Sequence, residues 1–591
     1  MEGLKPFLQG LMPDNRTAAL LTGAACGVGA VVVVVQRISS HQKTMDKIQR
    51  ARNRRTESLD QAEQAVLRYK ASHPTTDTAH ILTLSLSELT KQLQKGALTP
   101  DEVLYSYMEK TLHVNKKLNC CTGILLECFD QLKTLPSNKE GLLYGVPVSI
   151  KENIEYKNYD SSCGLVVYLD QPAEKDSVLV EVLKRQGAIP FVKTNIPQGL
   201  LSYDCSNPIY GQTLNPHNLQ KTSGGSSGGE GALLGGGGSL LGLGSDVGGS
   251  IRIPSSFCGV CGFKPTTGRL SSQGVKPVYR GQKAVLSSPG PLAKDVDSLA
   301  LCMQALLCDH LFSRDPTIPP IPFNLQIYQS SKPLRIGYVE SDGYSQPSPS
   351  MARGIREVKA LLEQAGHTLV PYSPLKVSYV LHELIIRGIF ADGETSLEGG
   401  PVDSSLKTQV FPYTFPTWLK KTLSLLLKPL VSLSFRDSTV SCQLTMLEEI
   451  WLHTRREINY VVFFYQDYIQ ETIAYWKRCN IDVLLCPMLG PAYNFLYCGK
   501  VTSVLSYTIL YNLLNFPAGV VPVSTVTVKD EEELKHYTGC YQDHWDKVFK
   551  QAVSGGEGLP VAVQCVALPW QDELCLRFMK EVEQLVKHSR K

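Results

Sequence analysis

Serines stand out in the glycine-rich run over residues 224–250, GGSSGGEGALLGGGGSLLGLGSDVGGS. A serine hydroxyl becomes a nucleophile when a base takes its proton, and glycines let backbone N–H groups converge on a bound atom because they lack a Cβ. Leucines interrupt the glycines and apolar sequence follows directly, whereas a flexible linker would continue into polar sequence. The run therefore predicts a site and not a linker.

Glycine-rich runs serve phosphate loops, dinucleotide folds and nucleophile elbows, each with its own spacing. The phosphate pattern G-x-x-x-x-G-K-[ST] and the dinucleotide pattern G-x-G-x-x-G do not occur in the run. The elbow pattern G-x-S-x-G occurs twice, at 224–228 and 225–229. Any Gly/Ser-rich run produces that match by chance, and an α/β-hydrolase also needs an acid and then a histidine downstream. The pattern alone leaves the chemistry open.

A candidate base stands upstream, where Lys151 ends the apolar alternating segment VPVSIK. A lysine takes a proton from serine only when it is neutral, and burial lowers its pKa because the charged form loses its hydration. Ser-Lys arrangements are a known way to activate a serine. A position at the end of a buried strand thus favours Lys151 as such a base.

Three separated blocks carry a resemblance to a known family: GVPVSIKEN around Lys151, GGSSGGEGALL around Ser226, and GSDVGGSIRIPSSFCGVCGFKPTTGRLS around Ser250. Their order and spacing, 75 residues from Lys151 to Ser226 and 24 from there to Ser250, resemble the amidase-signature family of serine hydrolases. The resemblance runs from Leu82 to the C-terminus. It implies an α/β fold with a large twisted mixed β-sheet wrapped by helices.

The resemblance also implies the catalytic roles. It makes Lys151 the base, Ser226 the bridge that relays the proton, and Ser250 the nucleophile, with a cis peptide bond next to the bridging serine. No cofactor and no metal are implied, and a homodimer is.

Further site residues are expected around this triad. Substrate and oxyanion contacts are assigned to Ser226 and Leu200 and to the backbone N–H groups of Val247, Gly248, Gly249 and Ser250. Leu200 is expected in the wall of an acyl-chain channel. Asp246 and Arg252 flank the second serine turn, and we expect them to brace it through hydrogen bonds.

Composition excludes several other functions. A net charge of +4 over 591 residues argues against a nucleic-acid binder. The 17 cysteines follow no regular spacing, which favours buried thiols in a reducing compartment. Cys258 and Cys261 form a C-x-x-C pair, but no second pair follows at zinc-ribbon spacing, so a metal site is not expected.

Secondary-structure signals alternate between strand and helix, which predicts an α/β fold with a largely buried sheet. Apolar β-rich runs predict strands over 146–150, 189–192, 481–485, 520–523 and 561–566, and helical periods cover 178–186 and 574–586. Thr99, Pro100 and Glu102 form a helix start signal with a capping box. Gly96 is the expected C-cap of the preceding helix.

The N-terminus predicts a membrane anchor in residues 1–36. Residues 17–35 are nineteen uncharged, apolar residues, about the length of a membrane-spanning helix; a cleaved signal peptide is the alternative. Basic residues crowd the chain after this span, which predicts a catalytic domain that faces the cytoplasm. The resemblance implies an intracellular membrane, expected to be the endoplasmic reticulum. Residues 37–80 are then a basic helical linker near the lipid, or a solvated spacer, and residues 81–591 are the catalytic domain.

A second apolar segment, at about 413–435, predicts a membrane-interacting cap. Its apolar contacts are assigned to Trp418, Leu419, Leu423 and Leu426, with lysines at its edge for anionic lipid. An ordinary core helix is the alternative. The segment resembles a membrane cap in family members that take lipid substrates.

Together these features predict a membrane-bound serine hydrolase of fatty-acid amides, N-acylethanolamines and primary fatty amides among them. Its partners would be the lipid amide, membrane lipids and a second copy of the chain, with no nucleic acid. Two alternatives stay open: an amidase of the same family for small polar amides, such as a glutaminase subunit, and a catalytically silent membrane scaffold.

Overall fold

The structure is a computed structural model of the chain. It describes residues 15–135, 139–277, 279–280, 285–386, 388, 394–395, 400–407, 419, 422, 455–488, 490–501 and 505–590, without the side chains of 15–23, 25–27, 279–280, 386, 394–395 and 455–463.

An eleven-stranded sheet runs through the described residues, in the order β1-β3-β2-β4-β7-β5-β12-β13-β11-β8-β9. β6 and β10 form a separate two-stranded sheet. The strands are β1 Cys121–Ile124, β2 Pro147–Lys151, β3 Ile189–Thr194, β4 Leu241–Asp246, β5 Cys261–Lys264, β6 Tyr279–Arg280, β7 Ser288–Ala293, β8 Arg335–Tyr338, β9 Thr368–Pro371, β10 Glu394–Thr395, β11 Val483–Pro487, β12 Ala518–Thr525 and β13 Pro560–Val566.

Helices cover the sheet. They are α1 Asn15–Ser72, α2 Thr78–Thr83, α3 Leu86–Lys95, α4 Pro100–Leu118, α5 Cys128–Thr134, α6 Val178–Arg185, α7 Gly228–Gly235, α8 Arg252–Cys258, α9 Val296–Leu306, α10 Asp309–Arg314, α11 Leu325–Tyr328, α12 Pro349–Gln364, α13 Val377–Tyr379 with a π-helical extension Val380–Ile386, α14 Arg455–Cys479, α15 Ser506–Leu513, α16 Val528–Lys535, α17 His544–Val553 and α18 Asp572–Ser589. Short 3₁₀ turns lie at Val166–Tyr168 and Gln198–Leu200.

The central strands are buried along their whole length, which confirms the expected α/β fold. Every residue of β2, β3, β4 and β13 is buried, since helices pack on both faces of the sheet. The sheet is mixed: β2 pairs parallel with β3 and β4, whereas β4 pairs antiparallel with β7. The five predicted strands and two predicted helices are present with ends shifted by a few residues.

The predicted helix boundaries near residue 100 are also present. The Thr99 side chain accepts from the backbone N–H of Glu102 and the Glu102 carboxylate accepts from the backbone N–H of Thr99, which completes the capping box of α4. Gly96 ends α3 in the left-handed region, at φ 73°. Local sequence was sufficient here because both caps bond residues within one turn.

Helix α1 packs on the catalytic body with its C-terminal half. Ile48, Ala51, Ala62 and Val66 are buried against β1 and neighbouring loops. Arg50 and Arg54 pair with Asp170, and Arg54 also pairs with Asp160. Part of the basic segment expected at a lipid surface therefore binds protein carboxylates, which lie more than 100 positions away in sequence.

The structure describes the two expected membrane segments to different extents: the backbone of 17–35 lies within α1, whereas most of the cap lies outside the described residues. Across the described ranges, no helix is both long enough and apolar enough to cross a membrane, so the span expected at 17–35 is not confirmed. Of the cap expected at about 413–435, Trp418, Leu423 and Leu426 lie outside the described residues, and Leu419 is helical and half-buried.

Candidate active site

Lys151 lies at the carboxyl end of β2 and is completely buried. Its Nζ lies 2.8 Å from Ser226 Oγ, 3.0 Å from Ser245 Oγ and 3.1 Å from the Ser245 carbonyl oxygen. A neutral amine has two N–H donors and one lone pair. The two Ser245 oxygens can therefore take its donors, while its lone pair accepts the hydroxyl proton of Ser226.

Burial lowers the pKa of Lys151 to about 7, because the charged form loses its hydration. The Asp246 carboxylate opposes this shift but does not reverse it. At neutral pH a large fraction of the amine is thus unprotonated and able to act as a base.

Ser226 lies at the tight turn that precedes α7. The Gly225–Ser226 peptide bond is cis, as the resemblance implied. Gly225 has no room for a side chain, since a Cβ there would lie 2.6 Å from the Ser202 carbonyl oxygen and 2.8 Å from Tyr203 Cα. The glycine therefore brings the serine close to the neighbouring loop, and leaves Ser226 only 3% exposed.

Ser250 lies at the end of the turn that connects β4 to α8. The carbonyl oxygen of Ser250 accepts from the N–H of Ser227 at 3.0 Å, which ties the two serine segments together. Gly249 has φ 122°, a conformation that favours glycine, and a Cβ there would lie 2.7 Å from Thr508 Oγ1. The half-buried Ser250 and the buried Ser226 line the same cavity.

Asp246 and Arg252 brace this turn, as expected. The Arg252 guanidinium donates to the Asp246 carboxylate with Nη2 at 2.9 Å and Nε at 3.1 Å, and both side chains are fully buried. The carboxylate also accepts from the N–H groups of Gly249 at 2.7 Å and Ile251 at 3.0 Å. The guanidinium holds the pKa of Asp246 far below its usual range against the opposing effect of burial.

One expected oxyanion donor is already engaged. The N–H of Gly249 donates to Asp246 Oδ1, so it is committed to the brace. Among the described residues, the N–H groups of Val247, Gly248 and Ser250 have no hydrogen-bond acceptor. These three remain as candidates, and sequence could not separate them from Gly249 because the separation depends on where the Asp246 carboxylate points.

The cavity beside the two serines has a volume of about 370 Å³. One part of its wall is apolar: Leu200, Leu201, Val247, Val275, Val285 and Leu286. The other part is polar: Asn153, Ser226, Ser245, Ser250, Thr267, Ser272, Lys276 and Ser287. Leu200 thus lies where the sequence placed it, and the cavity can hold an apolar group beside a polar one.

The sequence analysis missed several residues that support the site through hydrogen bonds. Ser245, whose hydroxyl oxygen accepts from Lys151, lies in the same sequence block as Ser250 and could have been found there. Arg252 also donates to Asn512 Oδ1, at 2.5 Å, and to Gln564 Oε1, at 2.7 Å. These two partners lie at least 260 positions along the chain, and no local pattern marks them.

The two thiols of the C-x-x-C pair make separate contacts. The thiols of Cys258 and Cys261 are buried and have separate partners, the Ser223 carbonyl oxygen and the Glu583 carboxyl group. Within the part of the chain that the structure describes, no group of three or more His, Cys, Asp or Glu residues is arranged to hold a metal ion.

Comparison with known proteins now adds to this geometry. The profile of the amidase family matches residues 102–576. The chain belongs to the amidase family. This amidase is 47% identical over 571 residues to fatty-acid amide hydrolase 1 of Sus scrofa, with 96% of each chain covered. It is 35% identical over 570 residues to fatty acid amide hydrolase 1 of Caenorhabditis elegans, covering 94% of this chain and 97% of the relative.

A solved structure of a fatty acid amide hydrolase has the same fold, with a TM-score of 0.73 at 23% identity over 92% of this chain and 95% of that one. The family match and the two relatives support an amide hydrolase, and the chemistry of this amidase is therefore cleavage of an amide bond.

Proposed function

We propose that the chain is a serine hydrolase of fatty-acid amides in which Ser250 is the nucleophile. Ser250 Oγ attacks the acyl carbon, its proton passes through Ser226 to Lys151, and the C–N bond breaks. The proton returns along the same path to the departing nitrogen, since an amine leaves readily only after protonation. Water then hydrolyses the acyl-Ser250 ester to release the fatty acid.

The observation that carries the proposal is the 2.8 Å contact between Lys151 Nζ and Ser226 Oγ at a buried site where the amine is partly neutral. A base within hydrogen-bond distance of a serine is the geometry that general-base catalysis requires. Ser250 lines the same cavity as Ser226, so the nucleophile and the relay share one space.

The negative charge of the tetrahedral intermediate needs donors. We assign them to the N–H groups of Val247, Gly248 and Ser250, which lie in the turn that the Asp246–Arg252 pair braces. Loss of one such donor typically costs about 3 kcal/mol of transition-state stabilisation.

The substrate class rests on the apolar wall of the cavity and on the relatives. Leu200, Leu201 and Leu286 offer a surface suited to a hydrocarbon chain. Relatives that match 94% or more of this chain are fatty-acid amide hydrolases by name. We therefore place N-acylethanolamines and primary fatty amides before small polar amides as substrates.

We also propose that the protein acts at a membrane. Seven apolar residues of α1 are from 46 to 64% exposed: Val28, Val31, Val32, Val33, Val34, Val35 and Ile38. Exposed apolar residues in such a series are typical of a surface that lipid or protein covers. The endoplasmic reticulum as the site and the homodimer stay predictions from the resemblance.

The test is release of free fatty acid from a long-chain N-acylethanolamine by the detergent-solubilised full chain, beside Ser250→Ala and a short polar amide. We expect turnover of the lipid amide, little turnover of the short amide, and no activity in Ser250→Ala. Turnover of the short amide alone would keep the mechanism and refute the lipid assignment. Turnover of neither, with no labelling of Ser250 by a fluorophosphonate, would favour the silent scaffold.

A further inference from the structure

Glu230 carries a buried carboxyl group close to the proposed triad, and this group takes no part in the proposed proton transfer. Glu230 belongs to the first turn of α7, four residues after Ser226, and is fully buried. Its Oε2 lies 2.6 Å from Ser149 Oγ and its Oε1 lies 2.8 Å from Thr194 Oγ1. The carboxyl group therefore joins the helix that follows the bridging serine to two neighbouring strands.

Both partners are tied to Lys151. Ser149 lies two residues before Lys151 on β2, so the two side chains leave the strand on the same face. Thr194 is the residue of β3 that pairs with Lys151 in the parallel register. A group that holds Ser149 and Thr194 thus sets the position of the strand end that presents the amine.

Gly242 leaves open the space that the Glu230 carboxyl group occupies. A Cβ at Gly242, which pairs with Ser149 across β2 and β4, would lie 1.9 Å from Glu230 Oε2. The glycine is therefore required for the carboxyl group to reach Ser149.

From these contacts we infer that Glu230 is a positioning residue, which holds the Lys151 strand and the Ser226 helix at the spacing that proton transfer needs. The inference rests on the proposed roles of Lys151 and Ser226. The Lys151–Ser226 contact joins the same two segments at 2.8 Å, and the Glu230–Ser149 hydrogen bond joins them a second time on the same face of β2.

Burial, and not the hydrogen bonds, favours a protonated carboxyl group at Glu230, since the hydroxyls of Ser149 and Thr194 lower its pKa. Both partners are hydroxyls, and among the described residues no cation forms an ion pair with Glu230. Burial raises the pKa of Glu230 to about 8. A carboxylic acid can donate to one hydroxyl and accept from the other, which a glutamine side chain can also do.

Few charged groups act on Glu230 from the elements packed against α7. Lys151 on β2 is the charged group that influences the pKa of Glu230. Lys193 on β3 bonds Asp160 and Ser161 instead, and Asp246 on β4 pairs with Arg252 on α8. The charged residues of α4 are exposed or half-buried, and β7, SPGPLA, carries none. Among the described residues, Lys151 is therefore the charged group to which the charge of Glu230 is coupled.

The experiment measures the rate at which a fluorophosphonate labels Ser250 in the full chain, as a function of pH, in the wild type, Glu230→Ala and Glu230→Gln. We expect Glu230→Ala to lower the plateau rate about tenfold to a hundredfold, as misplaced catalytic groups do. Glu230→Gln keeps both hydrogen bonds and should recover most of that rate. The pH at which Glu230→Gln labels at half its maximal rate should be equal to or below the wild-type value. The reason is that glutamine cannot supply the negative charge that favours protonated Lys151.

A second variant covers the case in which Glu230→Ala does not fold. Thr194→Val removes one hydrogen bond to Glu230 and should slow labelling several-fold. The matched control is Thr111→Val, which removes a buried hydroxyl that donates to the Gly238 carbonyl oxygen at 2.6 Å. The control should label at the wild-type rate.

The inference is overturned if folded Glu230→Ala labels within twofold of the wild type, if Glu230→Gln loses as much as Glu230→Ala, or if Thr194→Val and Thr111→Val label alike. Labelling of Ser250→Ala at the wild-type rate would instead refute the proposed nucleophile, and this inference with it. The two failures are therefore distinguishable.

Discussion

Two buried lysines lie at the ends of neighbouring parallel strands, Lys151 as the last residue of β2 and Lys193 as the last but one of β3. Lys151 on β2 is 0% exposed and Lys193 on β3 is 3% exposed. Lys193 pairs with Ile150 in the register, so the two amines leave the sheet on opposite faces. Burial lowers the pKa of Lys151 to about 7 and that of Lys193 to about 8, where Glu152 partly offsets it.

The difference lies in what each amine touches. Lys193 Nζ lies 2.8 Å from the Asp160 carbonyl oxygen and 2.8 Å from Ser161 Oγ, beneath α1. Lys151 Nζ contacts Ser226 Oγ, which lines the cavity with Ser250. A lowered pKa thus comes with burial at either place, whereas of the two amines it is that of Lys151 that contacts a serine of the cavity.

Matched substitutions give the sharpest test of this comparison. Methionine keeps most of the lysine stem and removes the amine. We expect Lys151→Met to lower kcat for the amide by about 10³-fold, the usual range for loss of a general base, and Lys193→Met to change it less than threefold. Steady-state kinetics of the two purified variants measures this; equal losses would show that Lys151 has no special role.

Ion pairs near the two lysines should differ in how much they stabilise the fold. The buried Asp246–Arg252 pair near Lys151 should contribute more than the exposed pairs of Asp170 near Lys193. Asp246→Asn leaves the fully buried Arg252 charge without its partner, which typically costs about 3–5 kcal/mol of unfolding free energy. Asp170→Asn removes the partner of the exposed Arg50 and Arg54, and such pairs contribute about 1 kcal/mol or less. Denaturant unfolding compares the two variants, and similar losses would contradict the role of burial.

The pH profile of activity should follow Lys151 and not Lys193. The base must be neutral, so kcat/KM rises with pH and reaches half its maximum near the Lys151 pKa of about 7. Lys193→Met should leave this midpoint in place. A profile that is flat from pH 5 to pH 9, or a midpoint that moves in Lys193→Met, would contradict the assignment.

The buried Lys193 amine should also make stability depend on pH. The pKa of Lys193 falls from an ordinary value of 10.5 to about 8 on folding, so between these values the unfolded chain binds more protons. The destabilisation is complete below about pH 8 and disappears as the pH approaches 10.5. The unfolding free energy of the wild type relative to Lys193→Met should therefore rise with pH across this window. Denaturant titrations at pH 7.5 and pH 10 measure it, and a constant difference would contradict it.

Sequence predicted much of the fold and the centre of the site. The central strands read as apolar runs because they are buried on both faces. The roles of Lys151, Ser226 and Ser250 are implied by the resemblance of three sequence blocks to the amidase-signature family and stay predictions. Leu200, Asp246 and Arg252 lie where they were expected. The role of Gly249 changed, because its N–H is used by Asp246.

What sequence alone determined is local. The capping box of Thr99 and Glu102, the turn glycines around Ser226 and Ser250, and the buried strand that ends at Lys151 depend on contacts within a few residues or on burial patterns with a fixed period. These features can therefore be predicted from the types of neighbouring residues.

The tertiary structure decided which distant side chains support these segments. Glu230 bonds Ser149 from 81 positions away, Arg252 bonds Gln564 from 312, and Arg54 bonds Asp160 from 106. Each contact depends on the strand order and on how α1, α7 and α8 pack against the sheet. Because hydrogen bonds and ion pairs act over about 3 Å, their partners are set by the final packing and not by any spacing along the chain.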